Sequence, residues 1–217
     1  LQHSADFLEN LTKGVPMNPA ESMLSNCIVC PRECGVNRLA GQKGYCGATA
    51  QPVVARAALH FWEEPCISGT VGSGTVFFGG CNLRCVFCQN KDISQGARIG
   101  KEYSKKELIE ALIVLQESGV HNINLVTPTH FALQIKEVLE EMKKQGLLHV
   151  PVVYNSSGYE SVETLKKLDG IVDIYMPDLK YFDDKYARKY SNAPNYFEVA
   201  TRAIAEMFSQ VGKNQFD

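Results

Sequence analysis

Cysteine spacing constrains this chain more than any other feature. Of its eight cysteines, seven fall in two tight groups, Cys27, Cys30, Cys34 and Cys46, then Cys81, Cys85 and Cys88, while Cys66 stands alone. A disulfide needs a partner brought in from elsewhere in the fold with suitable geometry, whereas thiols three or four positions apart suit convergence on one metal centre. At 217 residues the chain is also larger than the small secreted scaffolds that depend on disulfide staples. The N-terminal stretch LQHSADFLENLTKG carries Asp6 and Glu9 where an export signal would be basic and then apolar. No apolar run approaches the ~18 residues needed to cross a bilayer. A cytoplasmic protein without membrane contact is therefore expected. A net charge of -2 offers no broad positive field for a phosphate backbone, so nucleic acid is not an expected partner.

Two textures divide the sequence. Residues 1–70 are irregular, punctuated by Pro16, Pro19, Pro31, Pro52 and Pro65, with a short β-like piece in PVVARAALHF. They read as a Cys-rich N-terminal extension. Residues 71–217 alternate short apolar strands with amphipathic helices. Strands are expected at Thr75 to Phe78, Ile123 to Val126, Val150 to Tyr154 and Ile171 to Met176. Ser104 and Glu107 form a capping box for a helix with Leu108, Leu112 and Leu115 on one face and Gly119 as its stop. A second helix is expected from Phe131 to Lys144, and a short third opens at Ser161 and Thr164. Asn195 should cap a last helix in which Phe197, Ala200, Ile204, Phe208 and Val211 keep helical spacing. This rhythm implies an α/β fold of parallel strands with crossover helices, TIM-like or doubly wound. With four such strands before Asp217, a partial (β/α) barrel truncated at its C-terminus is expected.

The segment Gly79-Gly80-Cys81-Asn82-Leu83-Arg84-Cys85-Val86-Phe87-Cys88-Gln89-Asn90 follows the first of those strands, at the end where α/β barrels place their chemistry. Three thiolates can hold three irons of a cubane cluster and leave the fourth without a ligand from this loop. An open coordination position invites substrate, as it does in catalytic zinc sites. The competing reading is a zinc site completed by His60, His121 or His130.

CNLRCVFCQN after a strand, with βα units following, resembles the radical S-adenosylmethionine (SAM) superfamily, in particular the pyruvate formate-lyase activating enzyme group and its uncharacterised relatives. The resemblance covers roughly Glu63 onward. It implies that Cys81, Cys85 and Cys88 hold a [4Fe-4S] cluster whose open iron chelates SAM, and that one electron cleaves the sulfonium to a 5'-deoxyadenosyl radical that abstracts hydrogen. It also implies a reductase or flavodoxin-type electron donor and, for the activases, a glycyl-radical enzyme as partner, although relatives act on other protein, peptide or small-molecule substrates.

The resemblance further implies cofactor-binding positions. Phe87 matches the residue that packs on adenine, with Gln89 next to it; ordinary core packing is the alternative for Phe87. Where the family carries Gly-Gly-Glu, this chain has Thr127-Pro128-Thr129-His130, which offers carbonyls and two hydroxyls to the SAM ammonium, or else a helix cap. Asn155, Ser157, Asp178 and Lys180 match positions that contact SAM and a monovalent cation, Asn155 replacing an aspartate. Asp178 and Lys180 could instead be a surface ion pair. In the N-terminal group, Cys27, Cys30, Cys34 and Cys46 supply enough thiolates to close a site, holding either zinc or a second Fe–S cluster. A non-catalytic zinc-binding module is the alternative to an enzyme.

Overall fold

The computed structural model describes residues 19–95 and 100–213. The stretch bearing Asp6 and Glu9 lies outside the described residues. Among them, six strands form one sheet: β1 (Val53–His60), β2 (Ser73–Phe78), β3 (Lys101–Glu102), β4 (Ile123–Val126), β5 (Val152–Ser156) and β6 (Ile174–Pro177). The order is β3-β1-β2-β4-β5-β6. β2, β4, β5 and β6 run parallel, with Val76 beside Leu125, Leu125 beside Tyr154 and Tyr154 beside Tyr175. The fold is thus a mixed α/β layer with a mostly parallel sheet, consistent with a partial barrel.

Two strands depart from the all-parallel expectation. PVVARAALHF supplies β1, which lies in the same sheet as the later strands and pairs antiparallel with both β2 and β3. Its alternating residues announce a strand but carry no information on direction; direction follows from the connection, a loop holding only the one-turn helix α2 (Pro65–Ser68). α1 (Pro19–Ser25) precedes the sheet, and its Met23 and Leu24 pack with Cys27, Val29 and Leu133.

α4 (Lys105–Glu117) begins as the sequence indicates. The Ser104 Oγ accepts from the Glu107 N–H at 3.2 Å, and the Glu107 carboxylate accepts from the Ser104 N–H at 2.8 Å. Leu108, Leu112 and Leu115 are buried with Val76, Ile123 and Leu125, each contributing about 1.5–3 kcal/mol of apolar burial. A short 3-10 turn (Thr129–Phe131) leads into α5 (Ala132–Lys144), which buries Leu133, Val138, Leu139 and Met142. The third helix, α6 (Val162–Leu165), starts after Ser161.

Several details differ from expectation, and β2 already begins at Ser73 rather than Thr75. β5 starts at Val152, because Pro151 has no N–H to give the ladder. β6 starts at Ile174, since Ile171 and Val172 still donate to the Leu168 carbonyl and finish the preceding turn. In α8 (Tyr196–Val211) the buried stripe is Tyr196, Ala200, Ala203 and Met207, leaving Phe208 and Val211 exposed. Two stripes with helical spacing compete in that segment, and the one that buries Ala203 and Met207 against Tyr154 and Leu165 prevails. Asn195 adopts φ +54° and gives no side-chain cap; the Asp184 carboxylate accepts from the Tyr196 N–H at 3.0 Å instead. Two further helices, α3 (Lys91–Ser94) and α7 (Asp184–Ser191), frame the cysteine loop.

Candidate metal and cofactor site

The C-terminal ends of β2, β4, β5 and β6 share one rim, and the three-cysteine loop leaves β2 there. Its start is fixed by backbone bonds, Gly79 N–H to the Val53 carbonyl and Gly80 N–H to the Ile93 carbonyl, both 2.8 Å. Gly80 has φ +85°, and a Cβ there would stand 2.5 Å from the Cys46 carbonyl oxygen, so only glycine fits. Buried Asn82 donates to the Tyr159 carbonyl at 2.7 Å. Further along, Arg84 N–H reaches Ser191 O at 3.0 Å and Val86 N–H reaches Tyr190 O at 2.8 Å, docking the loop on the end of α7.

Each sulfur of the trio has a polar neighbour. The Leu83 N–H donates to Cys81 Sγ at 3.3 Å, the Ser191 hydroxyl donates to Cys85 Sγ at 2.9 Å, and the Ser94 hydroxyl lies 3.2 Å from Cys88 Sγ. Burial pushes the Cys81 thiol up to about 12 and raises Cys85 as well, so these thiols keep their protons at neutral pH unless a metal replaces them. Three soft donors at a strand end, with donors trained on the sulfurs and no fourth cysteine in the loop, fit a cluster with one unliganded corner. Neither His60 nor His121 belongs to this site: His60 is paired with Ser73 at the start of β2, and the His121 ring accepts from Thr70 N–H at 3.2 Å near that same end. His130 is 1% exposed, its Nε2 is 2.9 Å from the Gly79 carbonyl, and burial pulls its pKa down to about 4.

The other expected positions divide into facing and committed residues. Phe87 is 56% exposed, its ring 6.3 Å from Tyr181, so it is no core residue; Gln89 is also exposed. Thr127 takes φ +57° and donates its N–H to Asn155 O at 2.9 Å, which turns the chain at the end of β4, with Pro128 buried after it. Thr129 caps no helix; its hydroxyl donates to the buried Glu160 carboxyl at 2.5 Å. Asn155 donates to Glu63 Oε2 at 3.3 Å. Ser157 has a buried Oγ without a partner among the described residues. Asp178 and Lys180 are ion-paired with each other, and the Lys180 charge favours the Cys85 thiolate.

Several residues at the rim carry no motif. The Tyr196 hydroxyl stands 2.7 Å from Ser157 O and 3.0 Å from Asp178 O and accepts from Lys180 N–H at 2.9 Å, joining the ends of β5 and β6. Glu160, 2% exposed, collects Thr129 and Tyr154 hydroxyls, and burial still pushes its carboxyl up to about 7. Their one sequence signal is a polar group next to a strand end, which many surface residues share.

The N-terminal cysteines meet around one enclosed cavity whose walls include Cys27, Cys30, Cys34, Cys46 and His130. Arginines fasten this segment to the rim. Arg38, 1% exposed, donates to the Thr49 carbonyl at 2.8 and 3.0 Å and to the His130 carbonyl at 2.7 Å. The Tyr45 ring lies between Arg32 at 3.8 Å and Arg84 at 4.5 Å, and Arg84 also donates to the Tyr45 carbonyl at 2.5 Å. Cys66 belongs to neither group; it lines a cavity of about 420 Å³ beside β6, with Glu64 and Tyr175.

Comparison with known proteins agrees with this architecture. The sequence model of the radical SAM superfamily matches residues 75–213, and the chain belongs to that superfamily. Membership implies a [4Fe-4S] cluster and SAM as its cofactors. An uncharacterized protein of Methanocaldococcus jannaschii is 35% identical over 84% of this chain and 54% of its own length. A second from the same organism is 25% identical over 75% of this chain and 51% of its own length. The pyruvate formate-lyase-activating enzyme of Clostridium pasteurianum is 30% identical over 50% of this chain and 46% of its own length. The chain therefore spans about half the length of these curated relatives. Among the described residues no helix is long and apolar enough to cross a membrane.

Proposed function

We propose that Cys81, Cys85 and Cys88 hold the superfamily cluster and that SAM binds on the rim formed by the ends of β2, β4, β5 and β6. The observation that carries this reading is the loop itself: three thiols at a parallel strand end, each with a hydrogen-bonding neighbour on its sulfur. The cluster and SAM supply reductive cleavage of the sulfonium and a 5'-deoxyadenosyl radical able to take a hydrogen atom. The chain's residues bind and orient. Phe87 offers an exposed ring face to the adenine, Gln89 lies beside it, and Ser157, its buried hydroxyl without a partner among the described residues, follows the end of β5. Carbonyls of Thr127 and Pro128 serve the ammonium, whereas Thr129 and His130 support that turn from beneath through Glu160 and Gly79. Lys180 neutralises negative charge near Cys85, and Asp178 holds Lys180 in place.

Hydrogen abstraction from a glycyl residue of a protein partner is the substrate reading we favour, supported by the likeness to the Clostridium pasteurianum activating enzyme. A low-potential reductase or flavodoxin-type protein would supply the electron. The test is anaerobic: the full chain reduced with dithionite should convert SAM to 5'-deoxyadenosine, and Cys85→Ala should not. With a candidate partner deuterated at glycine Cα, deuterium should appear in the 5'-deoxyadenosine; none appearing there, with cleavage intact, rejects the glycyl reading alone.

A further inference from the structure

Four thiols around one enclosed cavity have few uses, and the surroundings here select among them. We propose that Cys27, Cys30, Cys34 and Cys46 ligate a second iron–sulfur cluster, closed by four protein ligands and packed against the loop of the first. The proposal rests on the radical-cluster reading only in counting this cluster as second.

Soft thiolates favour zinc or an Fe–S cluster over hard cations. Zinc would need its sulfurs about 2.3 Å from a single point. The four thiols instead line a cavity of about 10 Å³, open space that four sulfurs drawn to that distance around one ion would not leave. A cluster places each thiolate on a different iron, so its ligands stand further apart around a shared space. The cavity wall is built for a negatively charged occupant. The Tyr45 N–H donates to Cys34 Sγ at 3.3 Å, the Arg38 guanidinium lies 4.0 Å from Cys27 Sγ, and Arg32 also lines the cavity. Gly44 approaches so closely that a Cβ would stand 2.8 Å from Cys34 Sγ.

A second, independent observation points to an occupant. His130 lines the cavity, and with its Nε2 engaged by the Gly79 carbonyl, its buried Nδ1 has no partner among the described residues. A buried nitrogen without a partner is costly unless something in the cavity meets it. The same histidine, through Gly79, and the Cys46 carbonyl, against Gly80, place the cavity wall next to the residues that precede Cys81. With all four ligands from the chain, such a cluster has no position for substrate; its chemistry is limited to carrying electrons and bracing the fold.

The full chain should be purified anaerobically from medium supplied with both iron and zinc, alongside Cys81→Ala/Cys85→Ala/Cys88→Ala and Cys27→Ala/Cys34→Ala variants. The expected contents are about eight irons in the parent and about four irons with matching sulfide in the triple variant. The Cys27→Ala/Cys34→Ala variant should lose about four; should it fail to fold, the triple variant, with the N-terminal thiols intact, carries the test. A triple variant with one zinc and no iron, or with no metal and a circular dichroism spectrum like the parent's, overturns the proposal. A parent with four irons, all retained in the triple variant, would support this site and reject the radical-cluster reading instead.

Discussion

Around Cys81, Cys85 and Cys88 the chain leaves one side open, with Phe87, Gln89 and Lys180 at its edge; around Cys27, Cys30, Cys34 and Cys46 it closes a cavity and bolts it down with two arginines. Thiol chemistry is common to both groups. What separates them is the secondary structure that carries them. The open group sits on a loop at a parallel strand end, where the next βα units supply a rim for a ligand. The closed group sits in a segment held mainly by turns and arginine-to-carbonyl bonds, which wraps its own thiols. Open coordination serves binding and reaction; saturated coordination serves electron transfer or structure.

The largest effect should come from the open group. Cys85→Ala should lower SAM cleavage by about 10³-fold or more, equivalent to about 4 kcal/mol, while the thermal midpoint stays close to the parent's. A variant that still cleaves SAM would erase the distinction between the groups. Next in size is the arginine anchor of the closed group: Arg38→Met strands the Thr49 and His130 carbonyls in a buried setting and should cost about 3 kcal/mol, read from urea denaturation.

Glu160 lies between the two groups, bonded to Thr129 beneath the rim and electrostatically coupled to Cys30. Its folded-state pKa of about 7 exceeds the ordinary 4.5, so the folded chain holds the proton more tightly than the unfolded chain does. That contribution is fully present below about pH 4.5 and is lost as pH rises to about 7. The difference is on the order of 3 kcal/mol, and with it removed in Glu160→Gln the variant's stability should rise with pH between those limits more steeply than the parent's. A parent whose stability rises with pH as steeply as the variant's would contradict the assignment. His130 works in the opposite sense: its depressed value removes stability as pH falls from about 6.5 towards 4.

Gly80→Ala should destabilise by about 2 kcal/mol, because the new Cβ meets the Cys46 carbonyl and the backbone is left-handed. Gly41→Ala, also left-handed at φ +76° but with nothing within 4 Å, should cost about half as much, and the pair isolates the contact between the groups. Smallest is Phe87→Ala. An exposed ring contributes little to folding, so stability should shift by less than about 0.5 kcal/mol, while the SAM concentration for half-maximal cleavage should rise about 10-fold.

Much of this was legible because it is local. The Ser104 capping box, the β4 strand and the cysteine loop at the end of β2 depend on residues close in sequence, and the structure shows each in place. The antiparallel course of β1 and the choice of buried stripe in α8 depend on partners far along the chain, which spacing does not encode. The rim divides the same way. Thr127 to His130 stand out by position, but which of them point inward depends on Glu160 and Gly79, distant in sequence and without a motif. Tyr196 carries no sequence signal, because one aromatic at a helix start has no periodic signature until it meets two strand-end carbonyls.

If Cys81, Cys85 and Cys88 hold a cluster with one corner open to SAM, SAM should alter that cluster's electronic signal. Low-temperature electron paramagnetic resonance of the reduced parent chain, and of the Cys27→Ala/Cys34→Ala chain where it folds, follows that cluster signal. Adding SAM should change the g-values of the cluster signal; an iron-loaded chain whose spectrum is identical with and without SAM would contradict the account.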